Sequence, residues 1–121
     1  MPKHKILICD DSEGVRESLK LILKDEYELL FACDGNEAVR VTETESPELV
    51  LLDIKMPGPN GIETSKQIKK IKPKTKILIV TGYQYANTTQ NAAQNGIIDY
   101  IIKPFEPEAL KQTVKRILKT K

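Results

Sequence analysis

The chain is short of several things, and each shortage excludes a class of protein. No apolar run is long enough to cross a bilayer as a helix, so no membrane contact is expected. The opening, MPKHKILIC, is basic and then apolar, but Asp10-Asp11 cuts the run short and makes it a poor signal peptide. There are only two cysteines, Cys9 and Cys33, without CxxC or metal-ligand spacing. Both sit in apolar stretches and are expected to be reduced core thiols, which suits a cytoplasmic protein. The one histidine, His4, precedes the first apolar segment and is not offered as a ligand or reacting group. A net charge of +2 is too small to argue for nucleic acid. The basic end, KQTVKRILKTK, reads as a solvated helix face. There is no internal repeat and no low-complexity linker, and 121 residues fit one domain, 1–121.

What is present alternates. Strand-length apolar runs occur at Lys5–Cys9, Leu29–Cys33, Leu49–Asp53, Lys76–Thr81 and Ile97–Ile102. Between them lie segments with helical spacing. Ser12–Lys24 carries Val15, Leu19, Ile22 and Leu23. Asn36–Thr44 carries Ala38 and Val41. After a loop, Ile62, Ser65, Ile68 and Ile71 recur at helical intervals. Ala86–Asn95 is a weaker helical segment stopped by Gly96. Glu106–Lys119 places Leu110, Val114, Ile117 and Leu118 on one face, with Pro107 suited to the first turn. Short, almost wholly apolar strands alternating with helices predict an α/β domain with both sheet faces covered. Right-handed crossovers make it a doubly wound parallel sheet of five strands with five helices. Ligands in such sheets bind outside the carboxyl ends of the strands.

The residues at those ends are chemically distinctive. The first strand ends in Asp10-Asp11, the third in Asp53, the fourth in Thr81, and the fifth runs into Lys103-Pro104. Crowded carboxylates raise one another's pKa, and a hard divalent cation relieves the repulsion. Mg²⁺ is commonly held by one or two carboxylates, with water and phosphate oxygens completing its shell. The cation, Lys103 and Thr81 would together stabilise the oxygens of an incoming phosphoryl group. Asp53, central among them, is the candidate nucleophile. In the loop MPGPNG, Pro57 and Pro59 stiffen the chain while Gly58 and Gly61 allow close backbone approach.

Four stretches, ILICDDSEGVRESL, LVLLDIKMPGPNGIE, ILIVTGY and DYIIKPFEPEAL, occur in an order and at separations that resemble the receiver domain of two-component response regulators. The resemblance spans essentially the whole chain. It implies a flavodoxin-like sheet in the order 2-1-3-4-5 and a phosphoacceptor role rather than an enzyme's. It implies that Asp53 accepts phosphate from a histidine kinase or histidine phosphotransfer protein. Asp11 and Asp53 would ligate Mg²⁺ directly, Asp10 through water, and the backbone carbonyl of Lys55 would complete the protein ligands. Thr81 would bond a phosphoryl oxygen, Lys103 would pair with Asp53 or the phosphoryl group, and Pro104 matches the family's cis-proline position. Tyr100 aligns with the aromatic that reports the state of the site to the face formed by Ala86–Asn95, Ile97–Ile102 and Glu106–Lys119; the competing reading is a packed strand aromatic. Lys55 and Tyr83 flank the phosphoryl position and are expected to modulate the lifetime of the phosphorylated state. Asn60 stands where the family often has Asp and still serves the turn.

The resemblance further implies a downstream protein target, no direct nucleic-acid contact, and a monomer or a weak phosphorylation-dependent dimer. A chain ending just after the last helix suits either a free-standing receiver or a piece of a larger transcriptional regulator. Three competing classes fit these residues less well. A flavin binder needs a Ser/Thr/Gly-rich loop after the first strand, where this chain has DDSEG. A haloacid-dehalogenase-type phosphatase needs an acid two residues after the nucleophile, where Lys55 stands. A pseudo-receiver scaffold would normally lack an acceptor or metal ligand, and none is missing.

Overall fold

A computed structural model of the chain describes residues 3–82 and 97–119. Its elements in chain order are β1 (Lys5–Cys9), α1 (Glu13–Leu23), β2 (Glu28–Ala32), α2 (Gly35–Glu45), β3 (Leu49–Leu52), α3 (Gly61–Ile71), β4 (Lys76–Gly82), β5 (Ile97–Lys103) and α4 (Pro107–Lys119). The five strands form one parallel sheet in the order β2-β1-β3-β4-β5. Four of the five predicted helices fall among the described residues; the segment Ala86–Asn95 lies outside them, as does Tyr83.

Alternation along each strand splits the core in two. Leu7, Cys9, Val50, Leu52, Ile77 and Ile79 share one face with Ala38 of α2 and Ile68 of α3. Ile6, Ile8, Leu49, Leu51, Leu78 and Val80 share the other with Leu19 and Leu23 of α1 and Leu110, Val114 and Ile117 of α4. Every residue of β3 is therefore buried, which is why that strand reads as a continuous apolar run rather than as an alternation. Each fully buried Leu, Ile or Val contributes about 1.5–3 kcal/mol relative to exposure.

Helix starts are set by side chains the periodicity did not single out. Ser12 is the N-cap of α1, accepting from the Val15 amide at 3.3 Å, and Asp34 caps α2, accepting from the Glu37 amide at 2.8 Å. Asn60 and Glu63 form a reciprocal capping box at the start of α3. That gives Asn60 the turn role expected of it. Glu106 supplies only its carbonyl to the first bond of α4, at 3.0 Å from the Leu110 amide.

Three expectations need correction. Cys33 is exposed and not a core thiol, because β2 stops at Ala32 and the chain there turns toward the Asp34 cap. Ile71 ends α3 and is partly exposed, while Thr64 and Ser65 are the residues that pack inward with Ile68. Asp53 lies just past the end of β3 rather than within it, although its amide still donates to the Cys9 carbonyl.

Candidate functional site

The reversal of strand order falls between β1 and β3. Cys9 pairs with Leu52 across those strands, so the next residues, Asp10 and Asp53, leave the sheet side by side. The Asp53 amide still donates to the Cys9 carbonyl at 3.2 Å. Asp10, Asp11 and Asp53 each bring a carboxylate oxygen within 4.8 Å of the others. Asp10 and Asp53 are 2% and 6% exposed, whereas Asp11 is open to solvent.

Lys103, at the end of β5, reaches back to this cluster. Its Nζ lies 2.7 Å from Asp10 Oδ2 and 3.2 Å from Asp53 Oδ2. Burial by itself disfavours its ammonium and is the largest single influence. The bond to Asp10 and the charges of Asp10 and Asp53 together outweigh it, so the pKa of Lys103 is raised. Burial likewise dominates at Asp10 and raises its pKa, against the lowering effect of Lys103 and the Ser12 amide. Lys103 thus pairs with two of the three carboxylates, and Asp11 adds a further negative charge beside them.

The flanking loop is shaped around Asp53. Gly61 opens α3 so close to the acid that an added Cβ would strike the Asp53 carbonyl and lie 2.7 Å from Ile54 Cα. Gly58 has open space around it, contrary to expectation; what it supplies is a φ of 75°, which other residues adopt at a cost. The Lys55 amide donates to Asp53 Oδ1 at a long 3.4 Å while its side chain is exposed. The Lys103–Pro104 peptide is cis, as the resemblance implied.

Thr81 is the penultimate residue of β4, the strand between β3 and β5. It is 0% exposed, and its hydroxyl has no hydrogen-bond partner among the described residues. Leaving a buried hydroxyl unpaired costs about 1–3 kcal/mol; Thr42 of α2, also 0% exposed, shares this condition. Tyr100, on β5, is 43% exposed.

Two further residues that periodicity left unmarked contact Asp10. The Ser12 amide donates to Asp10 Oδ1 at 2.9 Å, and Arg16 Nη1 donates to the Asp10 carbonyl at 2.6 Å. Ser12 had a legible signal, a capping residue just ahead of an apolar-periodic segment. Arg16, six residues from its partner, had none.

The donor set can be tested against the cation that such a cluster implies. Three carboxylate oxygens in close mutual reach, with one ammonium as partial counter-ion, suit a hard divalent cation such as Mg²⁺ and offer nothing to a soft one. The orphaned hydroxyl of Thr81 and the ammonium of Lys103 add donors for an oxyanion.

A doubly wound sheet with a carboxylate cluster, a lysine and a hydroxyl at its switch point defines a class of phosphoryl-accepting α/β domains. Within it, the chain belongs to the response regulator receiver domain family, which matches residues 6–115. It is therefore a phosphoacceptor signalling domain of the two-component type. It is 35% identical to sporulation initiation phosphotransferase F of Bacillus subtilis, over 100% of this chain and 98% of that one. It is also 35% identical to the chemotaxis protein CheY of Thermotoga maritima, over 95% and 98% of the two chains. A longer relative, the alkaline phosphatase synthesis transcriptional regulatory protein PhoP of Bacillus subtilis, is 36% identical, and the match covers 48% of its length. Among solved structures, a CheY-like receiver domain protein from Methanospirillum hungatei superposes with a TM-score of 0.91 at 33% identity, over 97% and 94% of the chains. No described helix is long and apolar enough to cross a membrane.

Proposed function

We propose that Asp53 is the phosphoacceptor and that its donor is the phosphohistidine of a histidine kinase or phosphotransfer protein. The observation that carries this is the buried Asp53 carboxylate, one oxygen on Lys103 and both neighbouring acids within reach. A carboxylate oxygen attacks phosphorus, the P–N bond of the donor breaks, and a P–O bond forms. The imidazole leaves with the electron pair and takes a proton from water. Asp11 and Asp53 would hold Mg²⁺ directly, Asp10 through water, with the Lys55 carbonyl as the remaining protein ligand. The occupied oxygens of Asp10 and the exposed carboxylate of Asp11 support that division. When bound, the ion neutralises charge on the phosphoryl oxygens. Lys103 exchanges an Asp53 oxygen for a phosphoryl oxygen, and the hydroxyl of Thr81 donates to another.

Those new bonds are the source of the switch. A shift from one to ninety-nine per cent active needs about 5.5 kcal/mol of differential interaction, and hydrogen bonds to charged groups supply roughly 1.5–3 kcal/mol each. As Thr81 moves toward the phosphoryl group, Tyr100 turns inward and changes the face that a downstream protein reads. Its present exposure supports an outward, resting conformer. The near end-to-end similarity to a sporulation phosphotransferase favours a relay, in which phosphate passes on to a second protein. A receiver segment of a longer transcriptional regulator is the alternative, on the similarity to one half of such a protein. The working compartment is the cytoplasm.

Incubation with Mg²⁺ and acetyl phosphate, followed by intact mass measurement, tests the reading. A phosphate-sized gain is expected in the wild type and none in Asp53→Asn; equal gains in both would refute it. Lys55 and Tyr83 are proposed to screen the phosphoryl group from attacking water. Lys55→Ala and Tyr83→Ala should therefore shorten the lifetime of the phosphorylated protein, and unchanged or longer lifetimes would remove that role.

A further inference from the structure

Asp10 has a partner for each of its three oxygens. Oδ1 accepts from the Ser12 amide at 2.9 Å, Oδ2 from Lys103 at 2.7 Å, and the carbonyl from Arg16 at 2.6 Å. Asp11 is the opposite case. It is exposed, and among the described residues no hydrogen bond or ion pair holds its carboxylate. Yet one of its oxygens lies within 4.8 Å of oxygens from Asp10 and Asp53. An exposed side chain with no partner of its own is aimed by its backbone.

That backbone is the link between two rigid elements. The sheet ladder ends where the Asp10 amide meets the Ala32 carbonyl at 3.1 Å, and the helix begins at the Ser12 cap. Between them lies the Asp10–Asp11 peptide, and its carbonyl is the atom that Arg16 holds. Arg16 sits half-buried in the first turns of α1, five donors on a planar fork. Among the described residues it forms no salt bridge with any of the three carboxylates, so its bond serves geometry rather than charge neutralisation.

We propose that Arg16 is a positioning residue of the cation site: by holding the Asp10 carbonyl it fixes the Asp10–Asp11 peptide and so aims the Asp11 carboxylate toward Asp53. This rests on the reading of the acid cluster as a Mg²⁺ site. It separates from a purely electrostatic role by sign. A cation beside the cluster repels Mg²⁺, so on charge alone its removal tightens binding severalfold. Loss of a group that orients a ligand instead weakens binding, commonly by about 10- to 100-fold.

The test is titration calorimetry with Mg²⁺ on the wild-type chain, Arg16→Met and Arg16→Lys. Methionine keeps length and removes both bond and charge; lysine keeps a charged donor for the carbonyl. The expected result is at least about tenfold weaker Mg²⁺ binding in Arg16→Met, with Arg16→Lys within about threefold of wild type. In the metal-free proteins the amide nitrogen of Asp11 should shift in Arg16→Met and stay near its wild-type position in Arg16→Lys, because the bond is to the carbonyl of that same peptide. The amide spectrum also reports whether each variant is folded; should Arg16→Met unfold, Arg16→Gln takes its place. Binding in the neutral variant that is equal to or tighter than wild type overturns the inference, as does an equal loss in Arg16→Lys. A wild-type chain that binds Mg²⁺ while the neutral variant matches it leaves the phosphoacceptor reading intact. A wild-type chain that binds none overturns both.

Discussion

Two buried threonines stand at opposite ends of β4, and their difference separates the structural end of the molecule from the reactive one. Thr75, just before the strand, donates its hydroxyl to the Pro47 carbonyl at 3.1 Å. Thr81, at the other end, donates to nothing among the described residues. The same contrast holds for the charges around them. Near Thr75, Lys69 donates to the Pro73 carbonyl at 3.0 Å and to the Thr75 carbonyl, and Lys76 donates to the Ile117 carbonyl at 2.9 Å. His4 pairs with Glu48, and Lys5 with Glu45 at 3.5 Å. Burial lowers the pKa of Lys69, with the charge of Lys76 adding to it, yet the ammonium has backbone carbonyls to meet. At the carboxyl end, two of three clustered carboxylates share Lys103. A fold can satisfy buried polar groups, and around Thr75 it does, although the buried hydroxyl of Thr42 on α2 goes without a partner among the described residues. At the carboxyl end an unpaired hydroxyl and a surplus of carboxylates stand together.

The largest effect that would break this contrast is on signalling. Thr81→Ala should still accept phosphate but lose the change in partner affinity on phosphorylation, a coupling commonly worth 5- to 150-fold. Titrating plain and phosphorylated protein against its partner measures it, and a variant that discriminates as well as wild type defeats the coupling scheme. Next comes stability. Thr75→Val, which strands a buried carbonyl, should cost about 1–2 kcal/mol in urea unfolding, whereas Thr81→Val should be neutral or stabilising by up to about 1 kcal/mol. Equal losses at the two sites would erase the distinction drawn between them.

The smallest effect concerns protons. The Asp10 pKa is raised above its ordinary 3.8, so the folded chain holds that proton more tightly than the unfolded one. Where the native state binds more protons, stability falls as pH rises, here from 3.8 upward through the folded value. Asp10→Asn lacks the titration. In EDTA its stability relative to wild type should therefore increase across that window. A difference that stays flat from acid to neutral pH would show that Asp10 titrates normally in the fold.

The broad plan was legible because it rests on local regularities. Continuous apolar runs such as Leu49–Leu52 announce a strand covered on both faces, and acids directly after such runs must emerge at one edge of a parallel sheet. Boundaries were less legible where a cap overrode periodicity. Asp34 ends the apolar stretch at Ala32 and turns Cys33 outward, and Ser12 stands before α1 rather than within it. Resemblance to receivers supplied the residue roles; geometry then distinguished residues of one chemical type.

By itself, then, the order of residues determined the alternation of strands and helices and the set of groups that gather at the carboxyl edge, because hydrophobic period and turn chemistry act over a few positions. Only the tertiary structure decided how those groups divide the work. It brought Lys103 to Asp10 across 93 residues of chain, locked Asp10 on three sides, left Asp11 free-standing beside it, and set Arg16 on a carbonyl instead of a carboxylate. Hydrogen bonds form or fail over a few tenths of an ångström. Residue type names the possible donors and acceptors, but packing of distant segments sets the distances between them.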